Sequence, residues 1–322
     1  VTRFRVLLTD RAWPDTSIEQ QIVSELDAEI VEPRSCDEAG LIQAAASADA
    51  FATNWAKVTE AVIRACPQCR IIARTGIGID NIDLRTATEL GIPVTNCPDY
   101  CVGEVSDHAL GLLLACARRI GHFHLRTKQG EYNPATPFPM QRIAGQTLGL
   151  VGLGQIARTL VPKARALGLR IIASTPSGND YGTGVAMVSF DRLLDDSDYI
   201  SIHAPLTPAS RHLFNERSLA RMRPTAYLIN SSRGGLIDHS ALAAALQQGR
   251  LAGAALDVFE PEPPDLSHPL FKDERVIATP HAAFVSEQAI VQLRTETMQK
   301  VVAALSGRRP DNVLNPQIYD NR

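Results

Sequence analysis

The feature that most constrains this 322-residue chain lies in its middle, where Thr147-Leu148-Gly149-Leu150-Val151 runs into Gly152-Leu153-Gly154-Gln155-Ile156-Ala157. A strand is expected first, then a Gly-x-Gly-x-x-Ala turn, then a helix from Ala157 to Leu167, and a second strand at Arg170-Ile171-Ile172-Ala173. That order is the fingerprint of a parallel βαβ unit that binds a dinucleotide. The glycines permit the tight turn and let backbone approach the pyrophosphate, which the helix N-terminus stabilises. Gly152, Gly154, Gln155 and Ile156 are therefore expected to contact a cofactor.

The same alternation of short apolar runs and helical patterns extends along the whole chain, which implies an α/β fold of parallel sheets covered by helices on both faces. Before the turn, strands are expected at Arg5-Val6-Leu7-Leu8, Ala28-Glu29-Ile30-Val31, Ala50-Phe51-Ala52, Ile71-Ile72-Ala73 and Pro93-Val94-Thr95. Helices are expected at Ile18 to Leu26 and Val58 to Cys66. A long helix from Val102, nearly all apolar from Ala109 to Ala117, reads as buried between domains. The stretch Tyr132-Asn133-Pro134-Ala135-Thr136-Pro137-Phe138-Pro139 breaks the pattern. After the turn come strands at Tyr199 to Ile202, Ala226 to Ile229, Ala254 to Leu256 and Val276 to Ala278, six in this sheet.

Composition excludes several classes of function. With 45% hydrophobic and 21% charged residues the chain has material for two globular cores. A net charge of -3 and scattered basic residues argue against nucleic acid as a partner. No apolar segment reaches the ~20 residues of a membrane span, and VTRFRVLLTD reads as a first strand rather than a signal peptide. Six cysteines suggest free thiols in a reducing compartment, so the cytoplasm is expected. Cys66-Pro67-Gln68-Cys69 has the spacing of redox and zinc sites, but no second pair completes a metal set. Core packing is the favoured reading of that pair, and no metal is expected.

In a doubly wound sheet ligands bind at the carboxyl ends of the strands. Polar residues stand at four of those ends: His203-Ala204-Pro205, Asn230-Ser231-Ser232-Arg233-Gly234-Gly235, Asp257 with Glu262, and Pro280-His281. Each alone is weak evidence of chemistry. Together, an arginine, a carboxylate and a histidine on successive strand ends could bind an anionic substrate, orient an imidazole and move a proton.

These segments together resemble the D-isomer-specific 2-hydroxyacid dehydrogenases. The resemblance spans nearly the whole chain. It rests on Arg74-Thr75-Gly76-Ile77-Gly78-Ile79-Asp80-Asn81-Ile82-Asp83, Glu104-Val105-Ser106-Asp107-His108-Ala109-Leu110, the glycine turn, Asn230-Ser231-Ser232-Arg233-Gly234, Ala255-Leu256-Asp257-Val258-Phe259 with Glu262-Pro263, and Thr279-Pro280-His281-Ala282-Ala283. The phosphoglycerate dehydrogenase and C-terminal-binding-protein branches look nearest, without room here for an added regulatory domain. The resemblance implies a Rossmann cofactor domain, residues 101–285, inserted in a discontinuous flavodoxin-like substrate domain, residues 1–100 plus 286–322. Its active site would lie in the cleft between them, and the protein would be a homodimer, with the apolar helix after Val102 as physical support.

The resemblance further implies a hydride transfer between NAD or NADP and a small 2-oxo or 2-hydroxy acid. Arg233 would hold the substrate carboxylate and polarise the 2-oxo group, His281 would be the acid and base, and Glu262 would orient the imidazole. Gly76, Ile77 and Gly78 match the stretch that grips the carboxylate from the other domain, with Asn54 and Trp55 nearby. Asp257 matches the position that binds the nicotinamide carboxamide. His203, Ala204, Pro205, Ser231, Ser232 and Ala283 complete the expected cofactor pocket.

Two departures from the family pattern stand out. The carboxylate that would bind the adenosine ribose is replaced by Thr175, so NADP is expected to be tolerated or preferred, with Arg158 a distant helper. Thr53-Asn54-Trp55-Ala56-Lys57-Val58-Thr59 lacks the arginine expected for a substrate phosphate, a charge that only Lys57 or Arg74 could replace. The alternative to an enzyme is a dinucleotide-sensing scaffold of the corepressor kind, with little or no catalysis.

Overall fold

Short apolar runs become the strands of two wholly parallel sheets in the residues that this computed structural model describes, 4–135 and 140–320. The chain divides into two units, one of Val1–Cys101 with Ser286–Arg322 and the other of Val102–Val285. The first contains β1 (Phe4–Leu8), α1 (Ser17–Val23), β2 (Ala28–Val31), α2 (Glu38–Ala45), β3 (Ala50–Thr53), α3 (Glu60–Arg64), β4 (Ile72–Arg74), α4 (Leu84–Glu89) and β5 (Val94–Thr95). Its sheet order, β2-β1-β3-β4-β5, is the flavodoxin-like one. The apolar side chains of these strands are buried on both faces, as helices on both sides require.

Local chemistry sets the helix ends. Asp37 and Asp83 accept the backbone N–H of Gly40 and Thr86 at 2.8 and 3.0 Å, which starts α2 and α4. The helix expected over Val58 to Cys66 is shorter because Val58 bridges to Ile82 and Thr59 caps the first turn. Similarly, α1 stops at Val23, continues as a 3-10 turn over Ser24–Leu26, and closes on Asp27 in the left-handed region at φ 51°.

The second unit contains α5 (Val102–Ala117), α6 (Ile120–Lys128), β6 (Thr147–Val151), α7 (Gln155–Ala166), β7 (Arg170–Ser174), β8 (Ala186–Met187), α8 (Phe190–Asp196), β9 (Tyr199–Ile202), α9 (Glu216–Arg221), β10 (Tyr227–Asn230), α10 (His239–Gln247), β11 (Gly253–Leu256) and β12 (Val276–Ala278). The sheet runs β12-β11-β10-β9-β6-β7-β8, and its order reverses between β6 and β9, the crevice where such folds bind dinucleotides. It has seven strands rather than the expected six. The extra one is β8, a two-residue edge strand hidden by the Gly- and Asn-rich run before it. From 132 to 135 the proline-rich stretch has no regular element, and 136–139 lie outside the described residues.

Helix α5 is amphipathic. Ala109, Leu112, Leu113 and Cys116 pack with Ala157, Leu160, Val161 and Ala164 of α7 in one core, while Asp107 and Gly111 are exposed. The last helix, α11 (Glu287–Leu305), belongs to the first unit. There Arg294 donates to both carboxylate oxygens of Glu19 in α1, at 2.8 and 2.7 Å, and both residues are buried. The thiols of Cys66 and Cys69 donate to the backbone carbonyls of Ala48 and Ile71.

Candidate active site

The glycine turn is built by close approach of two strand ends. Gly152 sits at φ 93°, and a Cβ there would lie 2.5 Å from the His203 carbonyl oxygen at the end of β9. Any side chain would therefore push β6 and β9 apart. Gly154 caps α7, and the space where its Cβ would stand holds no atom within 4 Å. Backbone N–H groups are thus left accessible at a helix start, with Gln155 exposed and Ile156 half-buried beside them. This cradle fits a pyrophosphate.

Around the turn, His203 pairs through Nε2 with the Ser201 hydroxyl at 2.9 Å, and burial lowers its pKa to about 4. It is therefore neutral at pH 7. Ala204 and Pro205 follow at the strand end, half-buried and exposed. At the end of β7, the Thr175 hydroxyl accepts from the Gly178 N–H at 3.1 Å and lies 3.3 Å from the Ser177 hydroxyl. The loop then returns onto the first turn of α7, where the Arg158 guanidinium stacks over the Tyr181 ring at 5.0 Å. Arg158 therefore faces the same loop as Thr175, closer to hand than its sequence position suggested.

The strand ends β10, β11 and β12 are adjacent in the sheet. After β10, the Asn230 side chain accepts from the Ser232 N–H and donates to the Arg233 carbonyl, which shapes the loop that holds Arg233 half-buried. Ser232 donates to Ile202 of β9, while the buried Ser231 hydroxyl has no partner among the described residues. Gly234 opens a 3-10 turn, and a Cβ on it would fall 2.0 Å from the Phe259 carbonyl carbon. This close approach sets the Arg233 turn against the loop that carries Glu262. In that loop Glu262 accepts from the Phe259 N–H at 2.8 Å through Oε1, and its Oε2 lies 2.7 Å from His281 Nδ1.

His281 occupies the left-handed region at φ 53°, held there by its N–H, which donates to the Asp257 carbonyl at 2.7 Å. Asp257 itself is fully buried. Its Oδ1 accepts from Thr279 at 2.5 Å and from the Ala282 N–H at 2.9 Å, and its Oδ2 accepts from the Ala283 N–H at 2.9 Å. Burial pushes the carboxyl upward, but hydrogen bonds from His108, Thr279 and the two backbone amides outweigh it and hold the pKa below the usual range. The carboxylate expected at the nicotinamide is thus engaged in folding residues 279–283 around the imidazole. His108 of α5 adds to this network, 3.1 Å from the Thr279 hydroxyl.

In the other unit, the residues predicted for the substrate carboxylate gather at the ends of β3 and β4. Asp10 accepts the backbone N–H groups of Asn54, Trp55 and Ala56 at 3.0, 2.7 and 3.1 Å, and so forms their loop. Arg74 is buried, with Nε donating to the Gly78 carbonyl at 2.9 Å and Nη1 within 3.4 Å of the Asn54 Oδ1. It binds the loops together, so it is not a free cation for a substrate phosphate. Lys57 is exposed. Asn96 donates to the Ile77 carbonyl at 2.7 Å, which leaves the backbone of Gly76, Ile77 and Gly78 fixed. The Asn54 amide nitrogen is buried without a partner among the described residues, and Trp55 is 45% exposed. His108 and Asn230 stood within quoted motifs but were given no role, and Asp10 was not singled out, because the contacts of all three arise only on folding.

Comparison with known proteins agrees with this geometry. Residues 110–283 match the family described as D-isomer specific 2-hydroxyacid dehydrogenase, NAD binding domain. The chain is 37% identical over 268 residues to a glyoxylate reductase of Korarchaeum cryptofilum, covering 81% of this chain and 80% of that protein. It is 38% identical over 251 residues to a hydroxypyruvate reductase of Thermotoga maritima, covering 77% and 82%. A solved structure of an NADPH-dependent glyoxylate/hydroxypyruvate reductase from Sinorhizobium meliloti, in complex with NADP and malonate, superposes with a TM-score of 0.88 at 28% identity, covering 97% of each chain. The chain therefore belongs to the D-isomer-specific 2-hydroxyacid dehydrogenases, NAD(P)-dependent oxidoreductases that move a hydride between the cofactor and a 2-oxo or 2-hydroxy acid.

Proposed function

We propose that this enzyme reduces a small, unphosphorylated 2-oxo acid to the D-2-hydroxy acid, with Arg233, Glu262 and His281 as its catalytic residues. The observation that carries the assignment is the His281–Glu262 pair at 2.7 Å, with the second Glu262 oxygen anchored by the Phe259 N–H. Bound NAD(P)H supplies the hydride that reaches the carbonyl carbon. As negative charge grows on the carbonyl oxygen, Arg233 stabilises it and His281 delivers a proton from Nε2. Glu262 keeps Nδ1 occupied, which fixes the ring and leaves Nε2 to face the substrate oxygen. In oxidation the same imidazole takes the proton back. Asp257 orients His281 through the 279–283 backbone.

The unit of Val1–Cys101 with Ser286–Arg322 acts as the substrate domain, and the unit Val102–Val285 as the cofactor domain. Backbone N–H groups of Gly76, Ile77 and Gly78, with the Asn54 amide, take the substrate carboxylate, and Trp55 borders its side chain. NADPH is accepted at least as well as NADH, because Thr175 presents no charge to repel a 2'-phosphate and Arg158 lies against the same loop. The working state is a homodimer in the cytoplasm. Support for the dimer shifts from α5, whose apolar face is used within its own unit, to exposed Ile120, Leu125 and Tyr132 in and after α6. Light scattering in solution checks it.

The central test is cofactor oxidation with glyoxylate, hydroxypyruvate and pyruvate, each with NADH and NADPH, and cofactor reduction with D-glycerate and 3-phosphoglycerate. At least one small 2-oxo acid should be reduced, and kcat/KM for 3-phosphoglycerate should be at least tenfold below that for D-glycerate. No turnover of any 2-oxo acid would favour a dinucleotide-sensing scaffold. A preference for phosphoglycerate would mean that a phosphate site exists without the expected arginine.

A further inference from the structure

A cavity of about 340 Å3 opens in the first unit at the end of the sheet opposite the Asn54 and Gly76 loops. Its walls come from Arg70 just before β4, Pro93 just before β5, Arg308 and Arg309 just after α11, and Tyr319. Among the described residues no Asp or Glu lines it. We propose that this cavity binds a small phosphate-bearing molecule, held by Arg70, Arg308 and Arg309.

Three arginines converge on this one cavity with no carboxylate in its lining, whereas six other arginines of the chain each meet one. Arg64, Arg85, Arg126, Arg192, Arg211 and Arg221 each lie within 4.0 Å of a carboxylate. Among the described residues, none of Arg70, Arg308 and Arg309 makes such a pair.

Capping of α11 is one ordinary use for arginines at a helix end, and here that role is already filled by backbone. The Ala303 and Ala304 carbonyls accept from the Arg308 and Gly307 N–H groups. Two of the guanidinium planes are also fixed, Arg70 over the Phe4 ring at 5.2 Å and Arg309 over the Tyr319 ring at 4.6 Å. Stacking occupies the faces of a guanidinium and leaves its N–H edge free, so little side-chain freedom remains to be lost on binding. The edge is the part that forks onto phosphate oxygens, and a dianion relieves the mutual repulsion of three cations. The volume lies within the range of small-molecule sites, roughly 300–1,000 Å3.

The test is calorimetric titration of the full chain with inorganic pyrophosphate at constant ionic strength, with and without saturating NADPH, because the glycine turn also attracts phosphate. One saturable event should persist with NADPH bound. It should weaken at least tenfold in Arg70→Gln/Arg308→Gln and in Arg308→Gln/Arg309→Gln, while turnover of a 2-oxo acid stays within twofold. In the wild type, hydrogen exchange should slow at residues 69–71 and 307–309 when pyrophosphate is added. Affinity unchanged in the double variants, binding abolished by NADPH, or no saturable event would each overturn the proposal. Because these readouts need no catalysis, their failure is separable from failure of the reductase assignment.

Discussion

His281 combines an unfavourable backbone with a well-defined side chain, since it sits at φ 53° and meets Glu262 at 2.7 Å. Left-handed backbone is costly for residues other than glycine, by roughly 1–2 kcal/mol, and here the Asp257 network sustains it. Replacing His281 by Ala should lower kcat for 2-oxo acid reduction by about 10²-fold or more, the usual range for a general acid. NADPH affinity, read by fluorescence titration, should change by less than about twofold because in the proposed mechanism the imidazole acts on the substrate oxygen and not on the dinucleotide. Wild-type turnover would remove His281 from the mechanism. Glu262→Gln removes the carboxylate that orients the imidazole, so kcat for reduction should fall at least tenfold with NADPH affinity unchanged; wild-type turnover would make Glu262 a loop anchor only. At the cofactor, Thr175→Asp places a carboxylate where a 2'-phosphate would lie, and the ratio of kcat/KM with NADH to that with NADPH should rise at least tenfold. Strict NADH dependence of the wild type would place the ribose acceptor elsewhere.

Two contacts between elements decide whether those residues meet. The turn after β10 touches the loop after β11 through Gly234, where a methyl group would lie 2.0 Å from the Phe259 carbonyl carbon. Gly234→Ala should therefore force the Glu262 loop away, with a loss of about 1–3 kcal/mol, as for overpacked sites, and a large fall in kcat. Thermal unfolding and steady-state kinetics on one preparation would check both, and a variant of normal activity would show that the loops can separate without cost. In the first unit, α11 is tied to α1 by the buried Arg294–Glu19 pair, further covered by the Trp13 ring 5.3 Å from the guanidinium. Arg294→Ala strands a buried carboxylate, so denaturant unfolding should show a loss of about 3–5 kcal/mol. A loss below about 1 kcal/mol would mean that water reaches Glu19 readily.

At the scale of the whole molecule, the buried groups of the unit Val102–Val285 make its stability depend on pH. His203 has a folded pKa of about 4, below the ordinary value of 6.5, so the unfolded chain binds the extra proton throughout that interval. Stability from keeping His203 neutral is full above pH 6.5 and declines as pH falls toward 4. Asp257, lowered from 3.8, adds stability present above that value and lost as pH falls below it. The thermal midpoint should therefore drop from pH 6.5 to 4, and His203→Gln should flatten that slope even if it lowers the midpoint at pH 7. An identical slope in the variant would show that carboxylates alone govern acid sensitivity.

The strand–turn–helix signal around Gly152 and the polar strand ends were legible in the sequence because they depend on local spacing: a parallel sheet delivers its chemistry just after each apolar run. For the same reason Arg233, Glu262 and His281 could be assigned to successive strand ends, which the sheet order makes neighbours. Periodicity could not reveal β8, since two edge residues bury too little to impose a pattern. Nor could it show that α5 spends its apolar face on α7, because a run of small apolar residues does not say which neighbour covers it. Asp257 read as a cofactor residue from its motif, while the three donors from residues 279–283 that it accepts in the fold converge only when β11 and β12 pair. Asp10 and Glu19 were silent in sequence, one answered 44 to 46 residues away and the other 275. Local spacing thus determined the elements and the chemistry at their ends. Tertiary structure alone decided which buried charges would be paired, because a charge removed from water is stable only beside a partner that the folded chain brings to it.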